Sequence, residues 1–435
     1  VSASPAEPAI PAHPSPAATW PAAATGAAAA VMVRTVAAPG LPADLISSLP
    51  TPTGTLSFVS EGEGLVGWGE FARFTTSGPT AAEDIDRWWT DLCATLDVQV
   101  DVEGAGTGPV VFVSLGFADD DESVAIVPRT VLGCRDGRTF ITTVGPVPAL
   151  TGREPVRAPG QISYSDASVS IGDYTGAVGQ AVERIKAGEA DKVVLARDLL
   201  ATAAEPVDQR FLLRRLADSY PTCWTFAVDG LLGATPEMLL RREGNEVSSR
   251  VLAGTAWPER AGEHTTGRVA TGLLASAKDL SEHAYAVSSV SDVLGRISSD
   301  LRVPRHPHVL PLANLTHLAT DIHGTIDPAA GRASSALMLA ARLHPTAAVG
   351  GSPASAAKRL IAELEPMRRG RYAAPVGWMS ADGDGEFGIA LRCAQVSDRQ
   401  VRMFAGCGIM AGSDPEVEAR EAQIKMIPIR DALEG

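Results

Sequence analysis

Two residues of opposite kind sit where their ordinary charges would be costly. Lys192 opens the apolar run of DKVVLARDLL (191–200), and Glu237 lies in GATPEMLL, hemmed in by Pro236, Met238, Leu239 and Leu240. Apolar neighbours strip hydration from a charged group, which draws a lysine toward the neutral amine and a glutamate toward the neutral acid. Held apart around one substrate, such a pair can act as base and acid. In contact, the two would form an ion pair and neither could act. Each residue taken alone also fits a structural role, as a solvated strand edge or a carboxylate that has found a partner.

Other charged residues fall into patterns with two readings. Glu418, Glu421 and Lys425 follow one another at steps of three and four after Ser413-Asp414-Pro415-Glu416, a capping box with proline in the first turn of a helix. They form either an exposed ion-pair ladder or two carboxylates for a hard cation with an ammonium for a substrate anion. Arg392, in EFGIALRCAQV, shares a strand face with Glu386, Gly388, Ala390 and Ala394, so its guanidinium stands over a floor of small side chains. That suits a bidentate carboxylate clamp or a salt bridge within the sheet. Gly254, Thr255 and Ala256 end a strand in small residues, and Gly406 and Gly408 punctuate another, where backbone can approach a ligand closely.

The elements that must position these groups are legible in part. A strand through DKVVLAR puts Lys192, Val194 and Ala196 on one face. The helix before it carries a stripe of Tyr174, Val178, Ala181, Val182 and Ile185, with Asp173 as its expected cap and Gly188 as its end. Thr265 to Ser299 reads as one long helix with a seam at Leu273, Leu280, Val287 and Leu294. On that seam Glu282 falls about 200° away, on the solvent side. CWTFAVDGLLGATPEMLLRREGNEVSSRVLAGTAW reads as strands and tight turns, and EFGIALRCAQV and QVRMFAGCGIM as an antiparallel pair turned at Ser397-Asp398-Arg399. Upstream, TGTLSFVS, GPVVFVSLGFA, ESVAIVPRTVLGC and TFITTVG are strand-like around one helix at AAEDIDRWWTDLCATL, with a polar connection, REPVRAPGQISYSDASVSIGD, to the next half.

With 435 residues, 45% of them hydrophobic, the chain can bury a large core. A net charge of -14 disfavours nucleic acid, whose phosphates require basic stripes. An anionic small molecule stays possible if the site brings its own cations. Five scattered cysteines suit a reducing compartment, and the lack of an apolar run of about 18 residues excludes a spanning helix. These features predict a cytoplasmic protein. The Ala/Pro-rich opening (1–30) lacks the basic region of a signal peptide and is expected to be a disordered tail, followed by a strand-rich scaffold region (31–169) and a catalytic region (170–435).

From about Ile171 to Ile429 the chain resembles the chorismate-utilising enzymes: isochorismate synthases, salicylate synthases and the large subunits of anthranilate and aminodeoxychorismate synthases. DKVVLAR, GATPEMLL, LAGTA, SAKDLSEH, LTHLAT, LHPTAAVGG, AELEP, PVGW, IALRCA, FAGCGI and PEVEAREAQIK occur in the family's order. The resemblance implies an α/β (α+β) fold of two large, mostly antiparallel sheets packed as a sandwich with outer helices. It implies Lys192 as the base that activates water for attack at C2 of chorismate, and Glu237 as the acid that protonates the departing C4 hydroxyl. Glu282 and Glu421 are implied as Mg2+ ligands, with Glu418 acting through water. Arg392, Lys425, His317 and the backbone around Gly254, Thr255, Ala256, Gly406 and Gly408 are implied for the substrate. Within the family, lysine at position 192 marks enzymes that add water rather than ammonia, so no glutaminase partner is expected, and the protein is expected to be a monomer. A salicylate synthase is the nearest alternative; Ala256 after LAGT and the wording from AELEP to PVGW resemble plain isochorismate synthases more closely. An aminating subunit and a chorismate-binding relic are the remaining alternatives. Cys407 in the glycine turn and MRRGRYAAP before PVGW depart from the usual wording.

Overall fold

A computed structural model describes residues 30–40, 44–146, 153–256, 268–311, 315–327 and 334–435. The expected tail up to residue 29 and the first residues of the expected long helix, 265–267, lie outside them. The first half holds β1 (Val31–Ala37), β2 (Leu56–Ser60), β3 (Glu63–Thr76), α1 (Ala81–Cys93), β4 (Leu96–Val100), β5 (Val110–Ser114), β6 (Ser123–Arg135) and β7 (Arg138–Val144). The polar connection contains a strand that its composition hid, β8 (Ile162–Asp166). Then come α2 (Ile171–Lys186), β9 (Lys192–Ala203), α3 (Gln209–Ser219), β10 (Trp224–Val228), β11 (Leu231–Thr235), β12 (Met238–Glu243) and β13 (Glu246–Ala256). The remainder is α4 (Arg268–Ala275), α5 (Ala277–Leu294), β14 (His308–Pro311), β15 (Thr316–Thr325), α6 (Ala336–Leu343), β16 (Gly351–Ser352), α7 (Ala354–Leu364), β17 (Pro375–Ser380), β18 (Gly385–Ile389), β19 (Cys393–Ser397), β20 (Gln400–Ile409) and α8 (Pro415–Glu434).

The strands are mostly antiparallel, as expected, but the two sheets are limbs of one hydrogen-bonded network. One edge of β6 pairs with β3 from Ser123 to Cys134. Its other edge pairs first with β5, through Ile126, and then with β7, from Thr130 onward. The split falls around Pro128, which has no N–H to donate to a ladder. Opposite Pro128, a bulge between Glu70 and Ala72 adds local twist. From β3 the first limb runs through β2, β10, β11, β19, β20 and β9, with β8 and β16 on β9. From β5 the second limb runs through β17, β18, β12, β13, β15 and β14. The limbs pack closely: a Cβ at Gly388 of β18 would lie 2.9 Å from the Thr235 methyl of β11 and 3.7 Å from the Phe58 ring of β2.

Helix ends correct several expectations. Ser170, in extended conformation, caps α2 by accepting from the N–H of Asp173, so the aspartate sits inside the first turn instead of capping it. The predicted stripe of α2 is buried. Asp414 caps α8 by accepting from Glu416 and Val417, while Ser413 accepts from Met410. The expected single helix is α4 and α5, divided at Ser276, whose hydroxyl accepts from Asp279 N–H and so starts a new helix. The buried stripe of α5 is His283, Ala286, Val290 and Leu294, rotated from the seam read in the sequence. Glu282 therefore borders the packed face, not the solvent.

Candidate active site

The chain crosses between the limbs at two places that matter. Pro236 and Glu237 connect β11 of the first limb to β12 of the second, and Ala390, Leu391 and Arg392 connect β18 of the second to β19 of the first. The predicted continuous strand from Glu386 to Ala394 is thus two strands. Arg392 adopts φ +49, which ends the shared face; Glu386 turns away from the site and pairs with Arg135 and Arg241. The crossovers touch, since Ile389 N–H donates to the Glu237 carbonyl at 3.2 Å. Where ladders break, side chains are free to face the space between the limbs.

That space is a cavity between the limbs. Glu237, Gly254, Thr255, Glu282, His317, Arg392, Gly406, Gly408 and Lys425 line it, together with Val194. Ala256, expected among them, continues the ladder opposite Thr316 and is not part of the wall. Tyr372 is a wall residue that the sequence reading did not name, although its stretch, MRRGRYAAP, was expected to be able to touch the pocket edge. Its hydroxyl would lie 3.2 Å from a Cβ at Gly406. Gly254 takes φ +77 at a bulge in β13, a conformation glycine adopts without strain.

Glu237 is 3% exposed, and burial pushes its carboxyl up to about 8, against a hydrogen bond from the Leu252 backbone and the charges of Lys192 and Arg392. It is a protonated acid at neutral pH. Arg392 donates to His317 Nε2 at 3.2 Å, which leaves the His317 proton on Nδ1, facing the Gly254 carbonyl at 3.3 Å and Thr255 Oγ1 at 3.2 Å. Burial and the neighbouring cations Arg392 and Lys425 hold His317 well below its usual range, so it is neutral.

Lys192 is fully buried, but not as an isolated amine. Its Nζ lies 3.0 Å from Glu282 Oε1, behind the cavity wall. Apolar enclosure is therefore offset by a carboxylate, which the strand pattern did not reveal because α5 supplies it. Glu282 itself is held below the usual carboxylate range: burial opposes this, and Lys192, Lys425 and Lys278 outweigh it. Lys425 donates to the Gly406 carbonyl at 2.9 Å and pairs with Glu421 at 2.7 Å. Glu418, 2% exposed, is pushed up by burial and by the charge of Glu421, and pairs with Lys278 at 3.2 Å.

Glu418 and Glu421 form a cluster that fits a hard divalent cation; Glu282, expected as a ligand beside Glu421, is not in that group and pairs with Lys192 instead. Donor atoms of Glu418, Glu421 and Cys407 lie within 4.8 Å of one another, and oxygen ligands suit Mg2+. The Cys407 thiol donates to the Glu418 carbonyl oxygen, and burial raises its pKa, so it remains a thiol and not a hard-metal ligand. Space is kept for the carboxylates by Gly408, where a Cβ would meet Glu282 Oε1 at 2.3 Å and Lys192 Cε at 2.8 Å.

A buried neutral acid, an arginine and a lysine lining one cavity suit a small anionic molecule. Comparison with known proteins is more specific. The chain belongs to the chorismate binding enzyme family, whose model matches residues 150–434. It is 40% identical over 265 residues to isochorismate synthase DhbC of Bacillus subtilis, covering 58% of this chain and 65% of that one. It is 37% identical over 344 residues to a Mycobacterium tuberculosis protein named as isochorismate synthase MenF, covering 76% of this chain and 87% of that one. The crystal structure of a Bacillus anthracis protein described as a 2,3-dihydroxybenzoate-specific isochorismate synthase, DhbC, superposes with a TM-score of 0.74 at 29% identity, over 90% of this chain and 98% of that one.

Proposed function

We propose that the chain is an isochorismate synthase, an isomerase that converts chorismate reversibly to isochorismate by adding water at C2 with loss of the C4 hydroxyl. The observation that carries this reading is the buried, protonated Glu237 lining the same cavity as Glu282, the carboxylate partner of Lys192: the reaction needs a proton delivered at C4 and one removed from water at C2. Lys192 takes the proton of the attacking water, both ring double bonds shift, and Glu237 protonates the departing hydroxyl, which leaves as water. No net proton is consumed, and both residues are reset by exchanging protons with solvent.

Arg392, oriented by neutral His317, faces a substrate carboxylate, and Lys425 with the backbone at Gly254, Thr255, Gly406 and Gly408 holds the remaining oxygens. Glu282 and Glu421, with Glu418 beside them, would hold Mg2+, whose charge fixes the ring carboxylate without donating protons. If Glu282 held the ion, Lys192 would lose its carboxylate partner. The product would feed menaquinone or siderophore synthesis, and a cytoplasmic monomer without a glutaminase suits the site. Among the described residues no helix is long and apolar enough to cross a membrane.

The test is product analysis with chorismate and MgCl2. Isochorismate alone supports the assignment. Salicylate with pyruvate, formed without a second enzyme, would replace it with the salicylate synthase reading, and an ammonia-dependent amino product with the aminating one.

A further inference from the structure

Around the proposed metal site, three carboxylates are matched by three lysines: Glu282 with Lys192, Glu421 with Lys425, and Glu418 with Lys278. The lysines differ in access to water. The side chains of Lys192 and Lys425 are 0% and 11% exposed, whereas that of Lys278 is 44% exposed. Releasing a buried ammonium from its partner strands a charge without solvent; releasing Lys278 returns it to water. Lys278 is also one helical turn before Glu282 in the first turn of α5, after the Ser276 cap.

We propose that Lys278 is a tethered counter-cation: it occupies Glu418 until a divalent ion arrives and then swings into solvent, so it sets how tightly that ion is held. This inference rests on the metal site proposed above. A fixed +1 charge at 3.2 Å from a buried carboxylate neutralises it when no metal is bound, and opposes a second cation a few ångströms away. The side chain supplies in cis what a monovalent salt ion would supply from solution, with no entropy of capture. The sequence alone offers Lys278 only as one residue of SAKDLSEH; its pairing with Glu418, 140 residues away, is a property of the fold.

The test is Mn2+ binding to the substrate-free protein, followed by electron paramagnetic resonance of the free ion, for the wild type, Lys278→Met, Lys278→Arg and Glu421→Gln. Removing the competing charge should tighten Mn2+ binding roughly five-fold, the scale of one partly exposed ion pair, while arginine should keep the wild-type affinity. Raising KCl should weaken binding to the wild type less than to Lys278→Met, because the wild type already carries its competitor. Equal or weaker Mn2+ binding by Lys278→Met, with Glu421→Gln still abolishing it, overturns the role of Lys278 and leaves the metal site standing. Failure of the wild type to bind Mn2+ overturns both. Thermal melting of each variant confirms that it is folded.

Discussion

At the scale of single residues, the chemistry depends on proton placement. In the proposed mechanism forward turnover needs protonated Glu237, whose fraction falls as pH passes about 8; the pH–rate profile should decline on that alkaline side, and Glu237→Gln should lose turnover. The same proton affects stability. Below the ordinary glutamate pKa, folded and unfolded chains both bind this proton. Above it the unfolded chain releases the proton first, so the folded state is penalised increasingly up to about pH 8 and constantly beyond. Glu237→Gln should therefore be more stable than wild type by on the order of 3 kcal/mol at neutral pH, with the gain vanishing toward pH 4. Denaturant melts at several pH values would check this; a gain independent of pH would contradict it. Lys192→Ala should lose turnover while retaining Mn2+ binding, since it removes Glu282's partner and not Glu282; isochorismate formation at the wild-type rate would remove lysine from the base role.

At the scale of elements, strand alternation placed Val194 in the cavity wall, because it needs only a period of two, whereas the Lys192 amine lies behind that wall against Glu282. Arg392 shows the limit of the same rule: alternation was carried through a left-handed residue that divides β18 from β19, and so it aligned Glu386 with the site. Glu282 shows another, since a serine inside an apparently continuous helix reset its phase. The inward position of β9 is itself held by a buried pair remote in sequence. Arg369 binds the carboxylate of Glu365 through two nitrogens at 2.7 Å and donates to the carbonyls of Val194 and Val349, while Glu365 accepts from Ala196 N–H. Both side chains are 2% exposed. Arg369→Met should cost roughly 3–5 kcal/mol by leaving Glu365 buried without its cation, measured as a lowered denaturation midpoint. A change under about 1 kcal/mol would mean that the pair does not anchor the strand.

At the scale of the whole molecule, the antiparallel, two-sheet character was legible through the family resemblance, whereas the joining of the sheets was not. The forking depends on Pro128 and the bulge opposite it, which divide one edge of β6 between two partners. Periodicity within β6 reports burial, not which strand lies alongside. Likewise, sequence pointed to Glu237 in the cavity wall but did not name Tyr372, which falls in a stretch whose wording departs from the family's.

The forking has a consequence for how the protein can be divided. The family match begins at residue 150, yet β10 is bonded to β2 and β17 to β5, so each limb is sutured to strands upstream of that point. A fragment beginning at residue 153 would carry every acid, base and carboxylate discussed above and would bare two raw strand margins, Thr225–Ala227 and Val376–Ser380. It should self-associate in size-exclusion chromatography and regain a single species when 30–146 is supplied in trans. The recognisable region is then the chemical half of the protein without being an autonomous half.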